Sequence, residues 1–195
     1  VFPGKLRHLS RGFGRARPGL WTWLNADDTY AHPNVLAWVA EQFHTHPLTE
    51  WLYASALFTG PRTDSPPRRY QARPLPQGWR ALTYWHGWPV PQPSTFFTSG
   101  LWHRAGGLSE ELHYAMDYDL FQRMSRLSAP RVHPDVILSH YLRHAASKTG
   151  ALGTWEHRRT PFYRECDRVN RALAPWWALL PLTLSRLKWR LTRNR

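Results

Sequence analysis

Short apolar runs of strand-forming residues alternate with segments of helical periodicity along most of this chain, and this alternation is the strongest constraint on its fold. The predicted strands are residues 19–24, 51–58, 94–98 and 132–138, and the predicted helices are residues 33–43, 101–105, 117–127 and 162–173. Strands and helices that alternate in sequence are typical of α/β domains. We therefore predict an α/β fold in which helices flank a sheet.

The size of the chain is consistent with one packed domain. It has 195 residues, of which 42% are hydrophobic and 20% charged, so a sizeable core can form. The single cysteine, Cys166, excludes an internal disulfide framework and a zinc site built from several cysteines. No apolar run approaches the roughly 20 residues that span a bilayer. The first residues also lack the apolar stretch of a signal peptide.

The positive charge lies in three peripheral segments. The formal net charge is +13, and residues 1–19, 62–80 and 186–195 each hold five Lys or Arg, against the single acidic residue Asp64. The rest of the chain has 11 basic and 12 acidic residues. Because this body is nearly neutral and no zinc-finger or RNA-binding signature accompanies it, we predict no specific nucleic-acid partner. The prolines of residues 62–80 predict a Pro/Arg-rich loop.

Asp27 and Asp28 directly follow the first predicted strand. Ligand sites of open α/β sheets lie at the carboxyl ends of strands. Adjacent carboxylates repel each other unless a cation or hydrogen-bond donors compensate, and Mg²⁺ or Mn²⁺ suits such oxygen ligands. An equally good interpretation from spacing alone is a polar turn in which Asp28 caps the next helix. The pair is thus a candidate metal site or a structural turn.

A second acidic pair, Asp117 and Asp119, opens the predicted helix at residues 117–127. Acidic residues are favoured at a helix start by the helix dipole, which is a sufficient structural reason for them. A carboxylate there could also act as a general base, provided that it reaches the proton that it removes. The residues alone leave both interpretations open.

Residues 171–195 form a basic, Trp-rich tail after a domain that we place at residues 1–170. The tail combines apolar positions such as Trp176 and Trp177 with Arg and Lys near its end. This pattern suits either an amphipathic segment at an anionic membrane surface or a helix packed on the domain with a solvated basic end. It is too polar and too interrupted by proline to span a membrane.

Four segments, taken in order, resemble family 2 glycosyltransferases, which are inverting enzymes of the GT-A fold that use sugar nucleotides. The segments are GFGRARPGLWTWLNADDTYAHPNVL, WLYAS, PVPQPSTFFTSGLWHRAGGLSEELHYAMDYDLFQRM and YLRHAASKTG. The resemblance runs from about Gly12 to Gly150, and the third segment is its most specific part. It implies a GT-A-like, Rossmann-like mixed sheet flanked by helices.

The resemblance implies a donor side. Asp27 and Asp28 match the acidic motif that holds Mg²⁺ or Mn²⁺ and the nucleotide, with the direct metal ligand of the two left open. Asn25 stands where many members have the first Asp of an Asp-x-Asp pattern. His144 and Lys148 match a later segment that approaches the diphosphate.

The resemblance also implies an acceptor side. Asp117 matches the catalytic base, which deprotonates the acceptor hydroxyl, and Met116 replaces a Glu that many members have before it. Asp119 and Arg123 match supporting residues of the same helix. Gln92 and Pro93 match the residues that precede a strand on the acceptor side.

The chain departs from the family at its front, because only 24 residues precede Asn25. We therefore expect an N-terminally truncated domain that lacks the first nucleotide-binding strands. The strand at residues 21–24 should then lack a neighbour and expose an apolar edge. We also expect the chain alone to bind nucleotide weakly.

These implications give one expected function and one alternative. The chain is expected to transfer a sugar, with inversion, from a UDP- or GDP-sugar to a saccharide or lipid-linked acceptor in cell-surface polysaccharide or glycolipid synthesis. A cytoplasmic location, peripheral at the inner face of the membrane, is expected with it. The alternative is a non-catalytic, truncated paralogue that binds a membrane or a partner.

Overall fold

The structure is a computed structural model that describes residues 4–59, 67–75, 88–142, 161–181 and 183–184. Its helices are α1 (Gly4–Arg15), α2 (Val35–Thr45), α3 (Ser99–Arg104), α4 (Met116–Leu127) and α5 (Pro161–Leu173). Its strands are β1 (Leu20–Trp21), β2 (Thr29–Tyr30), β3 (Trp51–Thr59), β4 (Arg68–Tyr70), β5 (Thr95–Thr98) and β6 (Arg131–Leu142). The predicted α/β fold is confirmed.

The described strands form one curled mixed sheet in the order β1–β5–β3–β6–β2. The long central strands β3 and β6 are parallel, whereas β5 pairs antiparallel with both β3 and β1. β4 pairs with the far end of β3, beyond β5. β3 is buried along residues 51–56 because it has a neighbour on each edge and helices over each face.

Two apolar cores cover the two faces of the sheet, following the alternation of side chains along β3. Trp51 and Tyr53 face the larger core with α1, α3, α4 and α5, while Leu52 and Ala54 face the smaller core with α2. Alternate residues of a strand point to opposite faces, so a run that is apolar at every position is what a doubly covered strand needs. The sheet is therefore a layer between helices.

The first strand differs from the prediction in length and in exposure. It is regular only over Leu20–Trp21 and pairs with β5. Trp21 and Trp23 are each 6% exposed, because Phe13 of α1 lies against both rings. β1 is the terminal strand of the described sheet, so one of its edges has no partner strand there, as predicted. The expected exposure of its apolar residues was wrong for Trp21 and Trp23, whereas Leu20 is 41% exposed. The helix α1 lies within the basic segment at residues 1–19, for which the sequence predicts no regular element.

The Pro/Arg-rich segment is only partly a loop. Its described part contains β4, whose Tyr70 stacks on Phe58 of β3 with ring centroids 5.1 Å apart. The prediction of a loop throughout 62–80 was wrong here because Pro67 and Pro74 flank the short strand rather than interrupt it.

Candidate functional site

The acidic turn after β1 is held by side-chain amides. The Asn25 Nδ2 group donates to Asp28 Oδ2 at 2.7 Å and to Gln92 Oε1 at 3.1 Å. The Gln92 Nε2 group in turn donates to the carbonyl of Trp23 at 2.7 Å. Gln92 therefore fastens the turn to the segment before β5, and Asn25, Asp28 and Gln92 come together as one cluster.

Asp28 does not cap the next helix. Its own N–H donates to the Asn25 carbonyl at 3.1 Å, which closes the turn, and β2 follows before α2 begins. The N-cap of α2 is Asn34. The alternative in which Asp28 serves as the cap was therefore wrong, although the turn itself is present.

Asp28 is a buried carboxyl group in an unfavourable electrostatic environment. It is 6% exposed, and its Oδ1 atom has no hydrogen-bond partner in the described part of the chain. Burial raises the pKa of Asp28 above its ordinary value of 3.8, and the neighbouring Asp27 carboxylate raises it further. The Asn25 amide and the nearby backbone of Leu142 lower the pKa and offset part of this effect. A cation would relieve the remaining cost.

The acidic turn fits a hard divalent cation. Among the described residues no group of three or more His, Cys, Asp or Glu side chains could hold a metal ion. Mg²⁺ is commonly bound by one or two carboxylates together with substrate phosphates and waters, so two carboxylates are sufficient. The buried, unpartnered Oδ1 of Asp28 and the half-buried Asp27 beside it match that donor set.

Asp117 lies in the first turn of α4, where its Oδ1 atom accepts the N–H of Tyr118 at 2.8 Å. Its carboxylate is close enough to Tyr70 of β4 to raise the pKa of that phenol, after burial, which is the larger cause. The Tyr70 hydroxyl donates to the Trp88 carbonyl at 2.6 Å. Asp117 therefore stands half-buried beside β4 and the segment at residue 88.

Asp119 and Arg123 form a partly buried ion pair one turn apart on α4, with Arg123 Nη2 at 2.5 Å from Asp119 Oδ2. Arg123 also donates to the carbonyls of Ala105 and Gly107, the latter at 2.7 Å. Gly106 and Gly107 have φ angles of +79° and +66°, which favour glycine. The pair thus fixes the turn that follows α3 against α4.

An aromatic stack joins the acidic turn to α4. The ring of Trp23, two residues before Asn25, stacks on Phe121 with centroids 5.9 Å apart and an interplanar angle of 25°. Phe121 lies four residues after Asp117, so its side chain is on the same face of α4, one turn along. The stack therefore places the segment that leads to Asp27 and Asp28 against the helix that carries Asp117.

Gln92 and Pro93 form a short 3-10 turn that leads directly into β5, as their match to the family predicted. Gln92 contacts the acidic turn, whereas Pro93 is buried. His144 and Lys148 lie outside the described residues. β6 ends at Leu142, which adjoins Asp28.

Sequence reasoning missed two residues of this region. Tyr70 was hidden in a segment interpreted as a loop, although an aromatic residue after two arginines is a strand signal. Glu165 of α5 accepts the backbone N–H groups of His113, Tyr114 and Ala115 at 3.0, 2.7 and 2.8 Å. No local pattern could have found Glu165, because its partners lie about 50 residues away.

The helix α5 ends at Leu173, three residues beyond the domain boundary that the sequence predicts at residue 170. A 3-10 turn over Trp176–Ala178 follows it. Trp176 is 84% exposed and Leu180 is 68% exposed. Within the described ranges, no helix has both the length and the apolar character to cross a bilayer.

Solved structures of S. aureus TarS, a glycosyltransferase, are similar to this chain in fold. The complex of TarS residues 1–349 with UDP matches with a TM-score of 0.56 and 13% identity, covering 86% of this chain and 44% of that one. The UDP-GlcNAc complex gives 0.54 and 14%, covering 82% and 44%. The ligand-free structure of the same residues gives 0.50 and 17%, covering 72% and 40%.

The chain thus spans less than half the length of the TarS structures that it matches. No protein-family model matches the chain, and no curated protein matches it. At these identities the similarity shows the fold alone. The chain has a glycosyltransferase fold of the GT-A-like class.

Proposed function

We propose that this protein is a family 2 glycosyltransferase that transfers a sugar, with inversion, from a nucleotide-sugar donor to a hydroxyl acceptor. The observation that carries the proposal is the buried Asp28 carboxylate, which has one unpartnered oxygen directly before β2, in a segment whose Trp23 stacks on the helix that presents Asp117. The fold that contains both is shared with structures of TarS bound to UDP and to UDP-GlcNAc. We take a UDP-sugar as the donor to test first.

The donor side of the proposal consists of the acidic turn and the segment after β6. Asp27 and Asp28 would hold Mg²⁺ or Mn²⁺, which when bound offsets the charge that grows on the leaving diphosphate. Asp27 is the more accessible of the two, whereas Asp28 is fixed by Asn25. His144 and Lys148, which lie outside the described residues, are assigned to the diphosphate by the family resemblance alone. Cationic and imidazole groups there would stabilise the departing phosphate oxygens.

Asp117 is the proposed general base. It takes the proton of the acceptor hydroxyl as the acceptor oxygen forms a bond to the anomeric carbon of the donor. The bond from that carbon to the diphosphate oxygen breaks on the opposite face, so the configuration inverts and the nucleoside diphosphate leaves with the electron pair. The ion pair of Asp119 and Arg123 holds the Gly106–Gly107 turn against α4. Gln92 and Pro93 would line the acceptor side.

The proposal predicts that Asp117→Asn lowers kcat by about 10²–10⁴-fold, because an amide cannot accept the proton. Binding of the donor should change little. The assay is release of UDP from UDP-GlcNAc with Mn²⁺, at millimolar donor and with a panel of saccharide and lipid-linked acceptors. Donor binding is measured in parallel by calorimetry.

Asp135→Asn is the matched control, since Asp135 is exposed on β6. Equal activity of Asp117→Asn and the native chain would overturn the assignment of the base. A chain that neither binds nor turns over any nucleotide-sugar would favour the alternative of a non-catalytic module.

We propose further that the tail binds an anionic membrane surface. Trp176, Trp177, Leu180 and Leu184 are 84%, 51%, 68% and 56% exposed, so much of their apolar surface is open to solvent. Five Lys or Arg and no acidic residue follow at 186–195. Exposed Trp and Leu beside a basic segment suit the interface of an anionic bilayer. A cytoplasmic location, peripheral at the inner face of the membrane, belongs to this proposal.

The test is sedimentation with phosphatidylglycerol vesicles, compared with phosphatidylcholine vesicles. The native chain should bind the anionic vesicles more strongly, and salt should weaken that binding. Trp176→Ser and deletion of residues 174–195 should both reduce it. Unchanged binding after the deletion would refute a membrane role for the tail.

A further inference from the structure

The carboxylate of Glu165 holds the entry of α4 from a different helix. Its Oε1 atom accepts the N–H of His113 at 3.0 Å, and its Oε2 atom accepts the N–H groups of Tyr114 and Ala115 at 2.7 and 2.8 Å. Bonds between backbone N–H groups and a carboxylate are charge-assisted and stronger than neutral ones. One side chain of α5 therefore fixes three successive residues directly before α4.

Glu165 supplies from another helix a bond that the local sequence does not supply, because it accepts the N–H of the N-cap residue Ala115 as well as those of the two residues before it. The N-cap of α4 is Ala115, and no side-chain cap bond is present there. The N–H groups at a helix start have no partner within the helix and are usually satisfied by a nearby Ser, Thr, Asp or Asn. Asp117 bonds the N–H of Tyr118 in the first turn, and Glu165 bonds the approach to that turn.

The rest of the interface between α4 and α5 shows that the contact is part of a continuous attachment. In its middle, the Tyr118 hydroxyl donates to Asn170 Oδ1 at 2.6 Å inside the core. At its far end, Arg126 donates to the Leu173 carbonyl at 3.0 Å. α5 thus holds α4 at three levels: Glu165 holds the residues before Asp117, Asn170 holds Tyr118 directly after it, and the contact of Arg126 is remote from Asp117.

We propose that Glu165 is a positioning residue for the catalytic base: it fixes the residue at which α4 begins, and with it the place of the Asp117 carboxylate. The inference rests on the proposed function, because it assumes that Asp117 is the base. Without the Glu165 carboxylate, residues 113–115 lose their common acceptor and the first turn of α4 can fray. A displacement of about 1 Å of a reacting group can lower a rate about 100-fold.

The test is Glu165→Gln in the full chain. Its amide oxygen can replace only one carboxylate oxygen, and its NH₂ group is a donor that would face another donor. We expect kcat for release of UDP from UDP-GlcNAc to fall about 10- to 100-fold, with KM for the donor changed less than about threefold. Where no acceptor is known, the assay measures hydrolysis. In that reaction water takes the place of the acceptor hydroxyl, and GlcNAc and UDP are released. Glu165→Asp should recover part of the loss.

Two controls separate positioning from general support of the fold. Glu111→Gln removes a carboxylate from the same interface, but one that is 81% exposed and pairs only with the exposed Arg168. Arg126→Met cuts the attachment between α4 and α5 at the end remote from Asp117. Both should keep kcat within about twofold of the native value, even where Arg126→Met lowers the melting temperature as much as Glu165→Gln does.

Amide hydrogen exchange gives a readout that does not depend on activity. Exchange at residues 113–118 should accelerate in Glu165→Gln and stay unchanged in Arg126→Met. An active native chain with an equally active Glu165→Gln variant would overturn this inference alone. Equal losses of kcat in Glu165→Gln and Arg126→Met would also overturn it, since the role would be one of stability. A native chain without turnover would overturn the proposed function first, and this inference with it.

Discussion

Asp28 and Asp119 are buried to nearly the same extent, at 6% and 8% exposure, yet their surroundings differ in kind. Asp119 has a cationic partner, because Arg123 contacts it through two nitrogens. Asp28 has the Asn25 amide and nearby backbone groups as neutral donors, an acidic neighbour, and an oxygen without a partner in the described structure. Burial of a charge is costly unless it is paired. Asp119 therefore stabilises the fold through its ion pair, whereas the charge of Asp28 is available to interact with a ligand.

The largest expected effect concerns the stability that the ion pair of Asp119 with Arg123 provides. Arg123→Met leaves Asp119 buried without its cation and frees the carbonyls of Ala105 and Gly107. We expect the free energy of unfolding to fall by about 3 kcal/mol, measured by urea denaturation. Arg171→Met is the matched control, because Arg171 and Asp167 have the same i,i+4 spacing in an exposed pair, and it should cost about 0.5 kcal/mol or less. Similar losses in the two variants would mean that burial of the pair contributes nothing.

The next effect tests whether the turn that Arg123 holds is itself rigid. Gly107→Ala places a Cβ at a φ of +66°, 3.3 Å from the Trp102 ring. We expect a loss of about 1–2 kcal/mol in unfolding free energy. Gly12→Ala is the control, since a Cβ there meets nothing within 4 Å and the residue is helical. That control should be neutral or stabilising; a neutral Gly107→Ala would show a turn that adapts.

A third prediction concerns the binding of a metal ion by Asp28 and its neighbour Asp27. Mn²⁺ should stabilise the native chain against thermal unfolding, by about 1.4 kcal/mol at ten times its Kd. It should stabilise Asp28→Asn and Asp27→Asn less, because each removes one charged ligand. Equal stabilisation of all three proteins by Mn²⁺ would place the cation elsewhere.

The smallest effect is electrostatic and appears as a pH dependence. Burial raises the pKa of folded Asp28 above its ordinary value of 3.8, so the folded state binds a proton more tightly than the unfolded state. The free energy of unfolding of the native chain, relative to Asp28→Asn, should therefore fall as pH rises from 3.8 through the raised pKa. Titration of the difference without metal checks this. A difference that grows with pH would show that donors outweigh burial at Asp28.

The sequence predicted the elements that depend on local pattern. The helix at residues 117–127 was found within one residue, because its apolar positions repeat with helical period. β1 was predicted too long and α1 was not predicted, since both depend on distant contacts, those of Leu20 with Thr98 and of Phe13 with Trp102. Propensity cannot show such a contact.

The candidate site was predictable to the same extent. Asp27, Asp28 and Asp117 were found as acidic groups near element ends, and the family resemblance gave them roles. The contact of Gln92 with Asn25 joins residues 67 positions apart, and that of Glu165 with Ala115 joins residues 50 apart. Neither pair has a signal in one sequence, because side-chain amides and carboxylates are common on any surface.

The parallel pairing of β3 with β6 has a consequence in time. Ser55 of β3 donates to the carbonyl of Pro134 in β6, 79 residues later in the chain. During synthesis at about 5–20 residues per second, the roughly 70 residues between the two strands take on the order of 4 to 14 s to appear. For that interval β3, which is apolar on both faces, lacks β6 as a partner along one of its edges. A nascent chain of this protein is thus most prone to aggregate before β6 leaves the ribosome.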